Sequence, residues 1–443
     1  MKNVKEEKEK MEDDGKIPTV FVTSLITDTH LYEMIHKSGV SSFATLRFSD
    51  GFIGTATEIE YQGALYVPCR TADIVAFVRL PESVGEYESQ AELIDDIKRF
   101  IKKWVVIDDD YLTLVCYYIL FSWVYDAFFE VPYLRILADL GSGKTRLGVH
   151  VLGQLLYKPI PITAASSISS IFRILDLVKG TLIVDEADID DSDKSSEFVQ
   201  VINSGYTKNG IVLRTVGIGP MMHSKPFSVF GPKLIISREH FKDQALESRC
   251  LPIIMHEARG ANIPLVLNGT LYSEGQKLRN KLLKWRLTQF TTAGKNMDMS
   301  FTEFDVATRF KQLFLLLSSV VSHEAKDMLR AYAMKIQKES VSRRRETAEG
   351  EIVQIIVDAL PATEVSCTYI SELFNREREK KEERSPQSIG WYARERLGLE
   401  TVRISSGEEK GRRAVKINLE LIHSLAQKYG IQIRESTPEI PFA

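Results

Sequence analysis

Two short motifs in this 443-residue chain carry side chains suited to phosphate chemistry. The first is ADLGSGKT, Ala138 to Thr145, set against the pattern GxxxxGK[ST]. That pattern asks for a turn between a strand and a helix whose backbone N–H groups converge on phosphate oxygens. Gly141 and Gly143 permit close backbone approach, Ser142 and Arg146 add N–H groups, Lys144 would reach the β- and γ-phosphates, and the Thr145 hydroxyl would hold Mg²⁺. Ala138 stands where the pattern has its first glycine, a position that does not touch phosphate. The second motif is LIVDEAD, Leu182 to Asp188, an apolar strand ending in two carboxylates. Asp185 can hold a water of the Mg²⁺ shell, and Glu186 can orient and deprotonate an attacking water. Together the motifs imply a site for Mg–ATP and its hydrolysis.

Further residues refine the site. GPKLIIS is another apolar strand, ending in Ser237 and Arg238. A polar residue at its tip could sense the γ-phosphate; Ser237 is the candidate and Arg238 the alternative. Arg249, in ALESRC, precedes the apolar strand LPIIM. A domain edge is expected there, where Arg249 is either a finger reaching a neighbouring subunit's nucleotide or a partner in a surface salt bridge.

These residues need elements to hold them. From Pro132 the pattern alternates strand and helix, the mark of a parallel α/β sheet: strands YLRILA, PIPITA, GTLIVD and GPKLIIS, with helices at TRLGVHVLGQLL, SISSIFRILDLV and SSEFVQVINSG. Strands stop after about Met255 and helices dominate to Glu339. Upstream, Pro18 to Leu80 reads as short strands with turns at Ser49-Asp50-Gly51 and Gln62-Gly63. An amphipathic helix, AELIDDIKRFIKKW, and an apolar one, Tyr111 to Tyr125, follow. The apolar run is shorter than the ~20 residues a bilayer crossing needs, which favours a buried helix. The expected organisation is a charged disordered tail over 1–16, a small β-rich domain over 17–88, linker helices over 89–130, an α/β ATPase core over 131–256, a helical lid over 257–340, a winged helix over 345–432 and a tail over 433–443.

The formal net charge of −3 leaves no global basic excess, so any nucleic-acid contact must come from local patches. Cys69, Cys116, Cys250 and Cys367 lie far apart, without metal-ligand spacing, and read as reduced thiols of a cytoplasmic protein.

In their order and spacing, ADLGSGKT, GTLIVDEAD, VFGPKLIIS and FKDQALESRC resemble the AAA+ ATPases. Within that class the chain is similar to the minichromosome-maintenance helicases and the related replication helicases of plasmids, phages and other mobile elements. The resemblance implies an AAA+ P-loop core with helical lid, assembled as a ring, usually a hexamer, with ATP at subunit interfaces. It supports Arg249 as the finger acting in trans and suggests Arg309, in TEFDVATRFKQLF, as a second sensor arginine. It also implies a role for the hairpin IVLRTVGIGPMMHSKPFSVFGPK. Its Gly217–Pro226 tip, carrying Met221, Met222, His223 and Lys225, would point into a pore, with His223 and Lys225 gripping single-stranded or forked DNA. An ordinary surface hairpin is the other reading of the residues. The chain departs from the family at Ala138, at Ser237 where asparagine is usual, and in lacking N-terminal zinc-binding cysteines.

The C-terminal block reads helix, helix, helix, β-hairpin, helix, which fits a winged helix. Docked on DNA, its third helix would present Gln387, Ser388, Trp391 and Arg394 to the major groove, while Lys410, Arg412 and Arg413 of the wing meet phosphates. Docking on protein is the alternative, since Ser342 to Lys416 holds 15 Lys and Arg against 14 Asp and Glu. The functional expectation is an ATP-driven ring helicase for a mobile element; the alternative is a DNA-bound loader or regulator that uses ATP as an assembly switch.

Overall fold

Among the described residues, alternating apolar residues and tight turns build seven strands in the N-terminal part: β1 (Thr19–Val22), β2 (Ser24–Ile26), β3 (His30–Lys37), β4 (Val40–Arg47), β5 (Ile53–Ala56), β6 (Ile59–Tyr61) and β7 (Ala64–Pro68). The computed structural model describes residues 17–69, 77–138, 141–163, 165–185, 193–217, 222–241, 243–256, 263–405 and 410–433. The expected tail over 1–16, all of the expected tail over 433–443 except Ile433, and Glu186 and Met221 fall outside the described residues. Gly51, Gln62 and Gly63 have positive φ, so both expected turns form where the side chains allow them. The strands make an antiparallel sheet in the order β2-β3-β4-β5 and a second sheet in the order β1-β7-β6.

Two helices follow. α1 (Gln90–Trp104) starts at Ser89, whose side chain accepts from the Glu92 N–H, with the serine and glutamate spaced as in a capping box. α2 (Asp109–Ser122) buries every residue from Tyr111 to Ser122. The Tyr118 hydroxyl donates to the carbonyls of Pro132 (3.0 Å) and Lys233 (2.9 Å), tying α2 to the sheet that comes next. Among the described residues no helix is long and apolar enough to cross a membrane.

That sheet has five strands: β8 (Tyr133–Ala138), β9 (Ile160–Thr163), β10 (Leu182–Asp185), β13 (Lys233–Ser237) and β14 (Cys250–Met255), in the order β14-β8-β13-β10-β9. All its pairings are parallel. Every residue of YLRILA and KLIIS is buried, as a sheet covered on both faces requires. The chain leaves β8 toward β9, whereas β13 is followed by β14 on the other side of β8. The strand order therefore reverses at β8, and in such sheets the ligand crevice lies outside the carboxyl ends of the strands at that reversal. Between β10 and β13 a two-stranded hairpin is inserted, β11 (Ile211–Val216) with β12 (His223–Ser228).

The connecting helices are α3 (Ile168–Val178), α4 (Asp193–Ser204) and the single turn α5 (Gln244–Glu247). The expected helix after β8 is irregular: Arg146–Val151 is π-wound and Leu152–Gln154 is a 3-10 turn. This stretch packs tightly on the sheet: a Cβ on Gly148 would lie 2.4 Å from Ile236 Cδ1 on β13. After β14, α6 (Gly269–Ala293), α7 (Thr308–Ser318) and α8 (Lys326–Arg345) carry the chain, with no further strand among the described residues before the second unit.

The chain divides into two units between Tyr332 and Ala333. The second contains α9 (Ala348–Asp358), β15 (Glu364–Ser366), α10 (Cys367–Asn375), α11 (Pro386–Trp391), β16 (Thr401–Arg403), β17 (Arg413–Lys416) and α12 (Leu419–Tyr429). Ile352, Ile356, Ile370, Ile389, Val415 and Ile422 form its core. The sequence pattern suggests only the hairpin β16–β17. The structure adds β15, three residues long, on the other side of β17.

A buried ionic network holds the first unit together. Glu33 of β3 and Arg286 of α6 are both buried, and the Arg286 Nε donates to Glu33 Oε1 at 2.8 Å. Arg286 also makes two bonds to Asp126 (2.9 and 2.7 Å) and one to the Trp123 carbonyl. Glu33 further accepts from the Tyr157 hydroxyl (2.8 Å) and pairs with Lys158 (3.0 Å), itself bonded to the Thr23 carbonyl (2.8 Å). Burial pushes the Lys158 amine down to about 8, against the pull of Glu33. Removing one member leaves the others charged in a dry site, a loss of about 3–5 kcal/mol. Glu33→Ala should therefore lower unfolding stability by about that much in urea titrations. A loss below about 1 kcal/mol would show that the network holds nothing together.

Candidate functional site

The loop after β8 has the geometry a phosphate cradle requires. Gly141 and Gly143 adopt φ of 81° and 83°, and a Cβ at either would meet nothing within 4 Å, so the inner side of the turn is open. Ser142 is buried beneath it. The Lys144 amine folds back toward the Ala138 carbonyl at 3.5 Å, the far edge of hydrogen bonding. Thr145 Oγ1 donates to Asp185 Oδ1 at 3.2 Å, joining residues 40 apart in sequence. Parallel pairing of β10, through β13, to β8 brings the two motifs to the same end of the sheet. A hydroxyl beside a carboxylate, next to an open amide-lined turn, is an oxygen donor set suited to Mg²⁺, so the residues present fit that ion.

Two basic residues outside the motifs, His150 and Arg79, feel each other's charge, and His150 also feels that of Asp185. His150, past Thr145 in the π-wound stretch, is held below the usual imidazole range by burial, with Arg79 and Arg146 adding to the effect and Asp185 opposing it. Arg79 comes from the segment before α1, and its guanidinium lies 5.1 Å from the Tyr272 ring centroid on α6. Arg146 directs its side chain to the carbonyls of Pro264 and Leu265 (3.2 Å to the latter). This leaves its backbone N–H as the part able to face phosphate. No spacing rule flags His150 or Arg79, whose proximity is created by packing.

Ser237 is placed differently from expectation. Its Oγ accepts from Arg135 Nε (3.2 Å) and Nη2 (3.1 Å) and donates to the Glu239 carbonyl (3.1 Å), with the residue 1% exposed. Arg135 is buried within β8, where it pairs with Glu247 and lies 3.8 Å from the Phe241 ring. The Ser237 hydroxyl thus satisfies a buried guanidinium and is not presented to a phosphate.

Arg249 and Arg309 come together. Their guanidinium carbons lie 5.1 and 5.2 Å from the Tyr206 ring centroid. Arg249 also bonds to Asn203, and Arg309 to Gln312 (3.1 Å) and the Tyr206 hydroxyl (3.4 Å). The Arg249 carbonyl accepts from the Tyr133 N–H (2.9 Å), at the first residue of β8. The loop leaves the last residue of that strand, so about 20 Å of extended chain separates the arginine backbone from its own loop.

In the hairpin, His223 and Lys225 lie on strand β12, opposite Val216 and Arg214, and not in the turn. The Lys225 amine sits 5.0 Å from the Phe227 ring. This corrects the expected Gly217–Pro226 tip: residues 218–221 are not described, and β12 begins at His223. In the second unit Gln387, Trp391 and Arg394 are exposed on one helical face, with Ser388 half-buried. Arg394 donates to Thr401 Oγ1 (3.1 Å). A Cβ on Gly390 would lie 3.1 Å from Arg413 Cδ and 3.8 Å from Arg394 Nη1, so that glycine lets both arginines gather over the helix. Lys410, Arg412 and Arg413 are exposed on the hairpin.

No family model matches the chain, and no curated protein does. Among solved structures, the A-form apo NrS-1 C-terminal region is similar at 13% identity and a TM-score of 0.40, over 87% of this chain and 97% of that one. A full-length MCM homolog from Methanopyrus kandleri is similar at 10% identity and a TM-score of 0.33, over 70% and 74%. JCV helicase is similar at 11% identity and a TM-score of 0.24, over 56% and 66%.

The role of Ser237 can be tested directly. Ser237→Ala removes an acceptor from a buried guanidinium and should lower unfolding stability by about 1–3 kcal/mol in chemical denaturation. Unchanged stability with a large fall in nucleotide turnover would return Ser237 to a phosphate-sensing role.

Proposed function

We propose that this chain is an ATP-driven motor of the AAA+ type that works as a ring, a hexamer in its expected form, to unwind DNA in the replication of a mobile element. The observation that carries the reading is the Thr145–Asp185 contact beside the open Gly141–Gly143 turn, at the strand-order reversal. ATP phosphates are cradled by the N–H groups of Gly141 to Arg146, and Lys144 turns from the Ala138 carbonyl toward the terminal phosphates. Thr145 and Asp185 would hold Mg²⁺, which when bound would supply positive charge to the phosphates. Glu186, next in sequence to Asp185, orients and deprotonates the attacking water.

Arg249 acts on the nucleotide of an adjacent copy, because its own loop is a strand length away. Arg309 shares the Tyr206 ring with it and moves with it. His223 and Lys225 on β12 carry the DNA strand, and the second unit docks on DNA as a winged helix through Gln387, Ser388 and Arg394, with Lys410, Arg412 and Arg413 on phosphates. The compartment that suits this work is the cytoplasm.

Lys144→Ala should abolish measurable ATP binding in calorimetry, while Glu186→Gln should bind ATP normally and hydrolyse it about 10²–10⁴-fold more slowly. On a forked duplex the wild type should displace the strand and both variants should not. DNA-stimulated hydrolysis without displacement by the wild type would turn the reading into that of a loader.

Arginine fingers raise turnover about 10³–10⁵-fold. Arg249→Ala should lower hydrolysis on that scale, and mixing it with Glu186→Gln should restore part of the activity at hybrid interfaces. No recovery at any ratio, with hybrid rings verified by native mass spectrometry, would exclude action in trans.

A further inference from the structure

Beside the hairpin, and partly lined by it, lies a groove of about 650 Å³. One wall is β1, the end strand of its sheet, which exposes Val20 and Phe21, the latter by 53%. The other wall is the last turns of α3, with Arg173, Asp176 and Lys179, together with Lys225 and Phe227 of β12. The walls are fixed to each other. Thr23 Oγ1 donates to the Val178 carbonyl at 2.7 Å, and Asp176 Oδ1 accepts from the Ser228 N–H at 2.9 Å. Those bonds join the N-terminal sheet to α3 and α3 to the hairpin.

The groove is cationic and aromatic at once. Arg173, Lys179 and Lys225 face it, and none of the three pairs with a carboxylate among the described residues; the one acid described in its lining, Asp176, is engaged with backbone. Arg173 and Lys225 lie 5.9 and 5.0 Å from the Phe227 ring centroid, which holds both side chains against the wall. Phe21 is the lining aromatic left open to solvent. A row of cations that tracks phosphates, beside a ring on which a base can stack, is the chemistry that binds single strands without reading sequence. A duplex is read by an element that enters its groove, whereas a concavity of this size takes a strand of a few nucleotides.

We infer that the groove between β1, α3 and β12 binds a single-stranded polynucleotide, with Arg173, Lys179 and Lys225 on its phosphates and Phe21 stacked on a base. The inference rests on the DNA-motor reading and deepens it: Lys225 belongs to both the hairpin strand and the groove, so the path of the strand continues from one to the other.

The test is fluorescence anisotropy of labelled dT30 and rU30 on the full chain with a non-hydrolysable ATP analogue, across a salt series. Arg173→Glu/Lys179→Glu should weaken binding at least tenfold and reduce the salt slope by about 0.7 for each phosphate no longer neutralised. Phe21→Ala, at an exposed position, should weaken binding about tenfold with the salt slope unchanged, because stacking releases no counterions. Thermal melts matched to wild type verify folding. Whichever polymer binds more tightly identifies the natural strand. Wild-type affinity in both variants would overturn the groove while leaving the motor reading intact, provided the wild type binds and hydrolyses. Failure of the wild type to bind either polymer would sink that reading instead. A labelled oligoglutamate that competes for the groove where dT30 and rU30 do not would make it a protein-docking surface and also overturn the assignment.

Discussion

The length and burial of β8 constrain everything chemical in this molecule. Six residues, all buried, run from Tyr133 to Ala138 between β14 and β13. At the carboxyl end the chain turns into the open glycine loop; at the amino end the Tyr133 N–H holds the carbonyl of Arg249. A strand rising about 3.3 Å per residue cannot be shortened, so the loop and the Arg249 backbone are held about 20 Å apart within one chain. Within one copy the glycine loop and the Arg249–Arg309 pair therefore sit at opposite ends of β8. In the proposed reading the arginines that face this loop come from another copy. Separation within the fold makes assembly part of the proposed chemistry.

Charge buried around that strand keeps it in place. Arg135 in its middle is satisfied by Ser237, Glu247 and the Glu239 carbonyl. Lys233, at the start of β13, has its amine among the carbonyls of Val229 (3.1 Å) and Gly231 (2.9 Å), and burial pushes it down to about 7. These carbonyls lie at the base of the hairpin, so a cation in the core sets where β11 and β12 emerge. Farther out, Glu33 and Arg286 connect the N-terminal sheet to the long helix α6 across 253 residues of sequence. Buried ion pairs are weak devices for raising stability but strict ones for geometry, since misplacement of any member strands a charge. The N-terminal sheet, the α/β core and α6 are accordingly held in register by side chains that tolerate little displacement.

Much of this is legible in the sequence, and the failures share a cause. YLRILA, GTLIVD and KLIIS are mostly apolar runs, as strands buried on both faces need, so their positions and the glycine loop can be read directly. The Thr145–Asp185 contact follows once the strands are laid parallel. Glu33 with Arg286, or Arg79 with His150, join distant segments through packing, and no local period marks such pairs. Ser237 reads as a free polar tip because the sequence does not reveal that Arg135, apparently one polar break in an apolar strand, points to the same face. β15 is too short to show a pattern and exists because β17 offers an edge. The π-wound stretch after the loop reads as ordinary helix in the sequence, and such windings recur at functional sites.

A chain with a formal net charge of −3 cannot hold a polyanion by its overall field, so the distribution of cations without an acidic partner decides where one could sit. Many basic side chains here are already committed. Arg47 pairs with Asp50, Lys281 with Asp96, Arg214 with Glu197 and Arg378 with Glu351, leaving little counterion to release from those places. In the first unit Arg173, Lys179 and Lys225 pair with no described carboxylate and gather on one groove. In the second, Arg394 and Arg413 converge over Gly390, where the missing Cβ makes room for both. Binding driven by counterion release must begin at such clusters, and each contributes only a few phosphates. Weak, salt-sensitive and non-specific contact at several small patches would suit the proposed translocation, because a strand held tightly at one place could not be passed along.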